Sequence, residues 1–459
     1  MVFLVKTQIL LNRILLLSGV TALGATASAE HARAAGRSVR PNIIIILADD
    51  LGYGDISCFG GTNAVTANLD RMAEGGMRFT DFHTNGVVST PSRAALVTGR
   101  YQQRAGLEWV YDNRDQVGLE QGEVTVADVM RRGGYKTAMF GKWHIGMFPQ
   151  HNPMNHGFEQ FTGCLSGNID YVNRIEQHGT YDWWKGTSNT AHKGYATDEI
   201  NALAVDFIKQ NRKKPFFLYV SHICPHFPYQ GPDDPEFRVL GVRDQAQFKA
   251  TDKVRPERYK EMIEEMDKGI GDILRTLRET GLEENTLVVF TSDNGPTGPG
   301  SAGGFRGQKG TPYEGGHRVP AIAYWKGRIA PGKSSDGTFA LFDLYPTALA
   351  VAGLDNKGGK PLDGISMLGE MVSPGAQKAV ERTLFWRFRQ WSVVRRGDMK
   401  LILDSGAKPQ LYDLRRDPGE KTNLAAQNPS LVAQLTSAIE AWGKDVDQDA
   451  PERETNQYK

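Results

Sequence analysis

The chain has 459 residues, with 54 Lys and Arg against 53 Asp and Glu, for a formal net charge of +1. That balance excludes a strongly basic nucleic-acid binder, because phosphate recognition rests on a net positive footprint. With 40% hydrophobic and 23% charged residues, the composition also excludes wholesale disorder, and the length fits one large domain with a smaller one.

The first 29 residues read as an export signal. Lys6 and Arg13 supply positive charge, residues 14–25 are apolar, and Ala27-Ser28-Ala29 offers small residues for cleavage. A secretory signal peptide has this order. The apolar run is shorter than the ~20 residues a spanning helix needs, so no membrane anchor is expected. Residues 30–40 form a polar lead-in.

Residues 41–372 read as the main domain. Residues 43–47 are a β-branched apolar run, as expected of a strand buried on both faces, and they end in Ala48-Asp49-Asp50. Three later runs share this form. Residues 135–140 lead into Gly141-Lys142-Trp143-His144, and 216–220 lead into Ser221-His222 and then Pro225-His226. Residues 287–290 lead into Thr291-Ser292-Asp293-Asn294-Gly295. Residues 198–212 and 258–280 carry apolar side chains at helical spacing. Strands alternating with helices predict an α/β fold, a large, mostly parallel mixed sheet sandwiched by helices. Such sheets bind ligands beyond the carboxyl ends of their strands, where this chain places acids, amides, lysines and histidines.

Residues 373–459 read as a small C-terminal α+β domain. Within it, 383–388 and 391–403 are antiparallel strands, the second bent at Arg396-Gly397-Asp398, and 431–442 is a closing helix. Cys58, Cys164 and Cys224 are odd in number and scattered. They exclude a disulfide scaffold and a thiolate zinc site but leave one disulfide open.

The segment Ser89-Thr90-Pro91-Ser92-Arg93, followed by residues 94–100, reads as a loop entering a helix. Pro91 suits the first turn and Gly99 a C-cap. Ser89 then lies at a helix N-terminus, which favours an anion, although a Ser before a Pro is by itself more often a cap. Asp49, Asp50, Asp293 and Asn294 are hard oxygen ligands that suit Ca²⁺, with Mg²⁺ as the runner-up. Adjacent buried carboxylates repel one another unless a cation is bound.

The 89–100 segment resembles the signature of the type I, formylglycine-dependent sulfatases of the alkaline phosphatase superfamily: (Cys/Ser)-x-Pro-Ser-Arg before a short helix ending in Thr-Gly-Arg. Other segments are similar to that family in order. They are Pro41-Asn42-Ile43 through Asp49-Asp50-Leu51-Gly52, and Gly134-Tyr135-Lys136-Thr137 through Gly141-Lys142-Trp143-His144. Then come Pro225-His226, Ser292-Asp293-Asn294-Gly295, and Gly307-Gln308-Lys309-Gly310-Thr311 through Glu314-Gly315-Gly316. Leu411-Tyr412-Asp413-Leu414 with Asp417-Pro418-Gly419-Glu420 completes the set.

The resemblance implies that Ser89 is oxidised to Cα-formylglycine (3-oxoalanine), whose aldehyde hydrates to a gem-diol. It implies one Ca²⁺ held by Asp49, Asp50, Asp293, Asn294 and the modified residue 89. Arg93 would orient the hydrate, and Lys142 and Lys309 would bind sulfate. His226 would protonate the leaving alcohol and His144 would deprotonate the hydrate. In the implied cycle one diol oxygen attacks sulfur, the alcohol leaves with a proton, and the second hydroxyl, once deprotonated, expels sulfate. Ser in place of the commoner Cys implies a radical S-adenosylmethionine maturase as partner. That route is bacterial, so the expected location is the periplasm or the medium.

The stretch between Met154 and Tyr195 is rich in aromatic and polar groups, a mixture that suits sugar rings. Asn168, Asp170, Tyr171, His178, Trp183 and Trp184 are its candidate substrate contacts, although Trp183 and Trp184 suit a place over the core or at an oligomer contact equally well. The expected substrate is therefore a sulfated polysaccharide or a glycosaminoglycan-like oligosaccharide. Two other classes compete. One is a phosphomonoesterase or phosphodiesterase using unmodified Ser89, which usually needs two zinc ions and more histidines. The other is a non-catalytic protein that binds sulfated glycans.

Overall fold

Uninterrupted apolar runs can lie side by side only where both faces of a sheet are covered. In the computed structural model, which describes residues 40–112, 115–243, 255–375 and 382–451, five strands pair in parallel, four of them carrying these runs. The export segment 1–29 and residues 30–39 of the lead-in lie outside the described residues. The five parallel strands are Thr286–Ser292, Asn42–Ala48, Phe216–Ser221, Lys136–Gly141 and Gln160–Gly163, in that spatial order. Ala321–Tyr324, Met77–Phe79 and Lys333–Ser335 extend one edge of the sheet, and Trp184–Lys185 and Ser188–Asn189 the other, to ten strands in all. The expected mixed, mostly parallel sheet is therefore present.

Alternation along Asn42–Ala48 shows how the sheet is covered. Ile43, Ile45 and Leu47 join a core with Leu96 and Val97 of the Ser89–Thr98 helix and Ala348 of the Leu344–Ala352 helix. Ile44, Ile46 and Ala48 join the opposite core with Ile200 of Ala196–Gln210 and Met266 of Pro256–Glu279. Every residue of the strand is buried.

The register levels the strand ends. Leu47 pairs with Ser221 on one side and Thr291 on the other, and Ser221 also pairs with Gly141. Residues 49–50, 142–144, 222–226 and 293–294 therefore leave the sheet along one rim.

The C-terminal sheet has four antiparallel strands, Thr383–Phe388, Trp391–Arg396, Met399–Asp404 and Gln410–Asp413, and the helix Pro429–Gln448 follows. The expected single bent strand over 391–403 is two strands. Arg396 pairs with Met399 across Gly397-Asp398, and Gly397 takes the left-handed φ of 56° that so tight a connection needs. Trp386, Tyr412 and Trp442 share a core with Val87 and Val88, the two residues before Ser89. Cys58, Cys164 and Cys224 are free thiols. No helix among the described residues is long and apolar enough to cross a membrane.

Candidate active site

Ser89 opens a helix in which every residue from Ser89 to Thr98 is buried. Val88 enters it extended, and Gly99, at φ 67°, closes it with its N–H on the Ala95 carbonyl. The hydroxyl of Ser89 donates to Asp49 Oδ1 at 3.3 Å and accepts from Lys142 Nζ at 3.3 Å. Arg93, one turn on, is equally enclosed. Its Nε and Nη2 reach Asp293 Oδ2 at 2.9 and 2.8 Å, while Nη1 donates to the Lys142 carbonyl at 3.0 Å and Ser221 Oγ at 2.6 Å. One guanidinium thus ties three strand ends together, which suits a rigid fork of donors. Burial opposes its charge, but Asp293 and Asp49 hold its pKa above the ordinary value.

Three carboxylates meet three cations here. Lys142 Nζ lies 2.6 Å from Asp49 Oδ2, and Lys309 Nζ lies 2.6 Å from Asp50 Oδ1. Asp50 also accepts from Asn294 Nδ2 at 2.7 Å and Thr297 Oγ1 at 3.3 Å, and its own N–H donates to Asp293 Oδ1 at 3.1 Å. Asp50 sits at φ 63°, a left-handed conformation that costs a non-glycine residue roughly 1–3 kcal/mol. The bond to Asp293 helps to hold it there.

The electrostatics differ from group to group. Burial, then the charge of Asp293, pushes Asp49 up to about 8 against Lys142 and Arg93. Asp50 is held below the usual carboxylate range by Lys309, His226 and Lys142, despite burial. Burial lowers the pKa of Lys142 against the pull of Asp49, while Asp50 raises that of Lys309.

These residues fit a hard divalent cation. Asp49, Asp50, Asp293 and Asn294 converge from two adjacent strand ends, and Asn294 Oδ1 is buried with no hydrogen-bond partner. A Ca²⁺ bound by this set would satisfy that oxygen and relieve the like charges beside Asp49. A second cluster, His83, Glu314 and His317, has ligand-type spacing, but it already holds a cation. Lys400 Nζ is 3.0 Å from Glu314 Oε1 and 3.1 Å from His317 Nε2.

The two histidines differ in setting. His144, at φ 55°, lies with its ring against Gly167; a Cβ on Gly167 would come within 2.7 Å of the ring atoms Cε1 and Nε2. Burial, then the charges of Lys142 and Arg93, hold its pKa well below the usual value. His226 is held from the other side. Its Nδ1 lies 2.6 Å from the Phe227 carbonyl, which makes Nδ1 the N–H and leaves Nε2 to titrate, 3.6 Å from Asp50 Oδ2. Burial pushes this imidazole down to about 3, against the pull of Asp50.

The catalytic and metal candidates therefore gather on one rim, but the candidate sugar contacts do not. Asp170 is buried, and its carboxylate accepts from the backbone N–H groups of Val172, Asn173, Phe237 and Arg238. Tyr171 is buried, and its hydroxyl bonds main-chain carbonyls. Trp183 is buried under Arg174, with Nε1 on Glu199. Those three brace loops and are out of reach of a sugar. Trp184 is half-buried with Nε1 on Asp182 at 2.7 Å, and Asn168 is half-buried against Arg238 and Gln177. His178 is also half-buried, 3.5 Å from Asp112.

The sequence reading passed over several residues that shape the site. Ser221 anchors Arg93, Thr90 Oγ1 donates to the His144 carbonyl at 2.8 Å, and Gly167 clears space for the His144 ring. Ser221 at a strand end and Thr90 inside the signature carried a positional signal; Gly167 carried none.

Residues 41–354 match a family model described as Sulfatase. Arylsulfatase A of Homo sapiens is 34% identical, covering 91% of this chain and 90% of its own length. N-acetylgalactosamine-6-sulfatase of Homo sapiens is 30% identical, covering 89% and 86%. Among solved structures, Ps i-CgsB in complex with k-i-k-neocarrahexaose gives a TM-score of 0.81 at 29% identity, covering 91% of this chain and 96% of that one.

Proposed function

The chain belongs to the sulfatase family and is a sulfuric ester hydrolase, and we propose that its substrate is a sulfated saccharide cleaved at residue 89. The carrying observation is the placement of Ser89, whose Oγ lies 3.3 Å from both Asp49 and Lys142 at the mouth of a buried helix. Oxidised to Cα-formylglycine by a radical S-adenosylmethionine maturase and hydrated, residue 89 would supply one hydroxyl as nucleophile and a second to release sulfate. Ca²⁺, held by Asp49, Asp50, Asp293, Asn294 and residue 89, would supply fixed positive charge toward the sulfuryl oxygens.

The charge count supports an anionic substrate. With Asp49 ionised by a bound cation, Asp49, Asp50 and Asp293 balance Arg93, Lys142 and Lys309, so a divalent cation leaves the site with a net charge of about two plus. A sulfate monoester and its transition state are anionic, and preorganised charge lowers the barrier where negative charge develops. Arg93 and Lys142 orient the reacting oxygens of residue 89. Lys142 and Lys309 bind the sulfuryl group. His226 carries the proton to the leaving alcohol, taking it up at Nε2 when the anionic ester enters and raises its proton affinity. His144 takes the proton from the remaining hydroxyl.

A saccharide is supported by the solved complex of Ps i-CgsB with k-i-k-neocarrahexaose and by the N-acetylgalactosamine-6-sulfatase relatives. Export through residues 1–29 fits such a substrate outside the cytoplasm. The test is sulfate release from a panel of sulfated oligosaccharides by protein co-produced with a maturase, with 4-nitrophenyl phosphate as the competing ester. Sulfate release that Ser89→Ala abolishes is expected. Phosphate release without sulfate release would overturn the reading.

A further inference from the structure

Tyr171 lies outside the reacting groups, yet it is joined to the backbone that carries one of them. Its side chain is fully buried. Its hydroxyl lies 2.8 Å from the Ile223 carbonyl and 2.9 Å from the His226 carbonyl, which share its one proton. The His226 N–H in turn bonds the Ile223 carbonyl at 2.9 Å, so the phenol closes a small ring of polar groups around the turn that presents His226. The same residue also holds the far end of the loop. Its backbone N–H donates to Gln230 Oε1 at 2.7 Å. Tyr195, stacked on Tyr171 at 5.6 Å, donates its hydroxyl to the Gln230 carbonyl at 2.9 Å.

We propose that Tyr171 is a positioning residue, whose hydroxyl fixes the 223–226 turn so that His226 Nε2 stands at the height of the leaving-group oxygen. A phenol buried without a carboxylate partner is a fixed donor, and burial holds its pKa well above the ordinary value. Two carbonyls on one short turn share its proton. Without it the Ile223 carbonyl would keep the His226 N–H, but the His226 carbonyl would turn to seek another donor, and His226 would turn with it. His226 is vulnerable to such a shift because its Nδ1 bond is to the neighbouring Phe227 carbonyl, which moves with the turn. Proton donation demands reach within hydrogen-bond distance, so a small displacement of the backbone is read out as lost protonation of the leaving group. The inference rests on His226 being the proton donor of the proposed function.

Dependence on the leaving group separates this role from simple packing. 4-Nitrophenyl sulfate expels a stable phenolate and needs little proton transfer. Phenyl sulfate and a methyl galactoside 6-sulfate expel progressively poorer leaving groups. The experiment compares kcat/KM for these three esters in wild type, Tyr171→Phe and His226→Ala, together with the urea midpoint of each. Phe keeps the ring that stacks on Tyr195 and removes only the hydroxyl. The ratio of 4-nitrophenyl to phenyl sulfate turnover is expected to rise about 10-fold or more in Tyr171→Phe, and further in His226→Ala, since general acids contribute about 10²- to 10⁴-fold. An unchanged ratio in Tyr171→Phe overturns the proposal, whether all rates fall together or none does. An unchanged ratio in His226→Ala overturns the proton-donor reading itself, and that control tells the two failures apart.

Discussion

Lys400 joins the C-terminal sheet to the loop behind the active site, and its removal is a test of that joint. The side chain is fully buried. Its ammonium lies 3.0 Å from Glu314 Oε1, 2.9 Å from Glu420 Oε1 and 3.1 Å from His317 Nε2. Glu314 lies five residues beyond Lys309, and its N–H donates to Glu420 Oε2 at 2.7 Å. Lys400, His83 and His317 hold the Glu314 carboxyl well below its ordinary range, against the cost of burial. Lys400→Met keeps the length and removes the charge. Breaking a buried ion pair on one side costs roughly 3–5 kcal/mol. Arg318 Nη1 at 3.3 Å and Arg395 Nη1 at 3.8 Å still face Glu314, which sets the expectation at the low end, about 3 kcal/mol. Urea unfolding reads the loss from the midpoint and slope. Adding Glu420→Gln to the variant is expected to recover about 1 kcal/mol or more, because one of the stranded carboxylates is gone. A loss under about 1 kcal/mol in Lys400→Met, or no recovery in the double variant, would refute this account of the joint.

Other consequences are equally direct. Lys142→Ala removes a buried cation beside residue 89 and is expected to lower kcat about 10²- to 10³-fold, in the range measured when one preorganised donor is lost; a loss under about 10-fold in steady-state sulfate release would contradict its role. Ca²⁺ at about 100 times its dissociation constant is expected to stabilise the protein by about 2.7 kcal/mol, and Asp293→Asn should shrink that gain. Equal stability with Ca²⁺ and with EDTA would speak against the cation site. Asp81 accepts from Arg395 at 2.7 and 2.8 Å and from Thr338 at 2.6 Å, with His83 at 3.0 Å and Arg318 at 3.4 Å. His83, Arg395 and Arg318 hold its pKa well below the ordinary value despite burial. A carboxylate so depressed stabilises the fold above its unfolded pKa of about 3.9 and loses that contribution as the pH falls toward the folded value. Asp81→Asn should therefore cost stability at pH 7, with a gap to wild type that narrows below about pH 4; a gap constant from pH 7 to pH 3 would be the contrary result.

Much of the rim was legible because the chemistry follows apolar runs directly. An aspartate pair after residues 42–48, or Lys142 after 136–141, has a position as soon as the run before it is read as a parallel strand. Arg93 was legible through the signature, but its contact with Ser221 depends on register between strands distant in sequence. The 168–184 segment misled because composition does not reveal direction. Asp170 looks like a sugar ligand until Phe237 and Arg238, far along the chain, use its second oxygen. Tyr171 is of the right type for stacking on a sugar and instead turns its hydroxyl inward. The hairpin at Gly397-Asp398 was hidden because the apolar alternation continues on both sides of the turn. The two-residue strands Trp184–Lys185 and Ser188–Asn189 are too short to leave a period at all.

The proposed chemistry turns on the state of residue 89, which the mass of the tryptic peptide containing it reports directly. In active protein co-produced with a radical S-adenosylmethionine maturase, that peptide is expected to be lighter than the encoded serine form by two hydrogens, and to react with a hydrazide. Full sulfatase activity from protein whose residue 89 retains the mass of serine would contradict it.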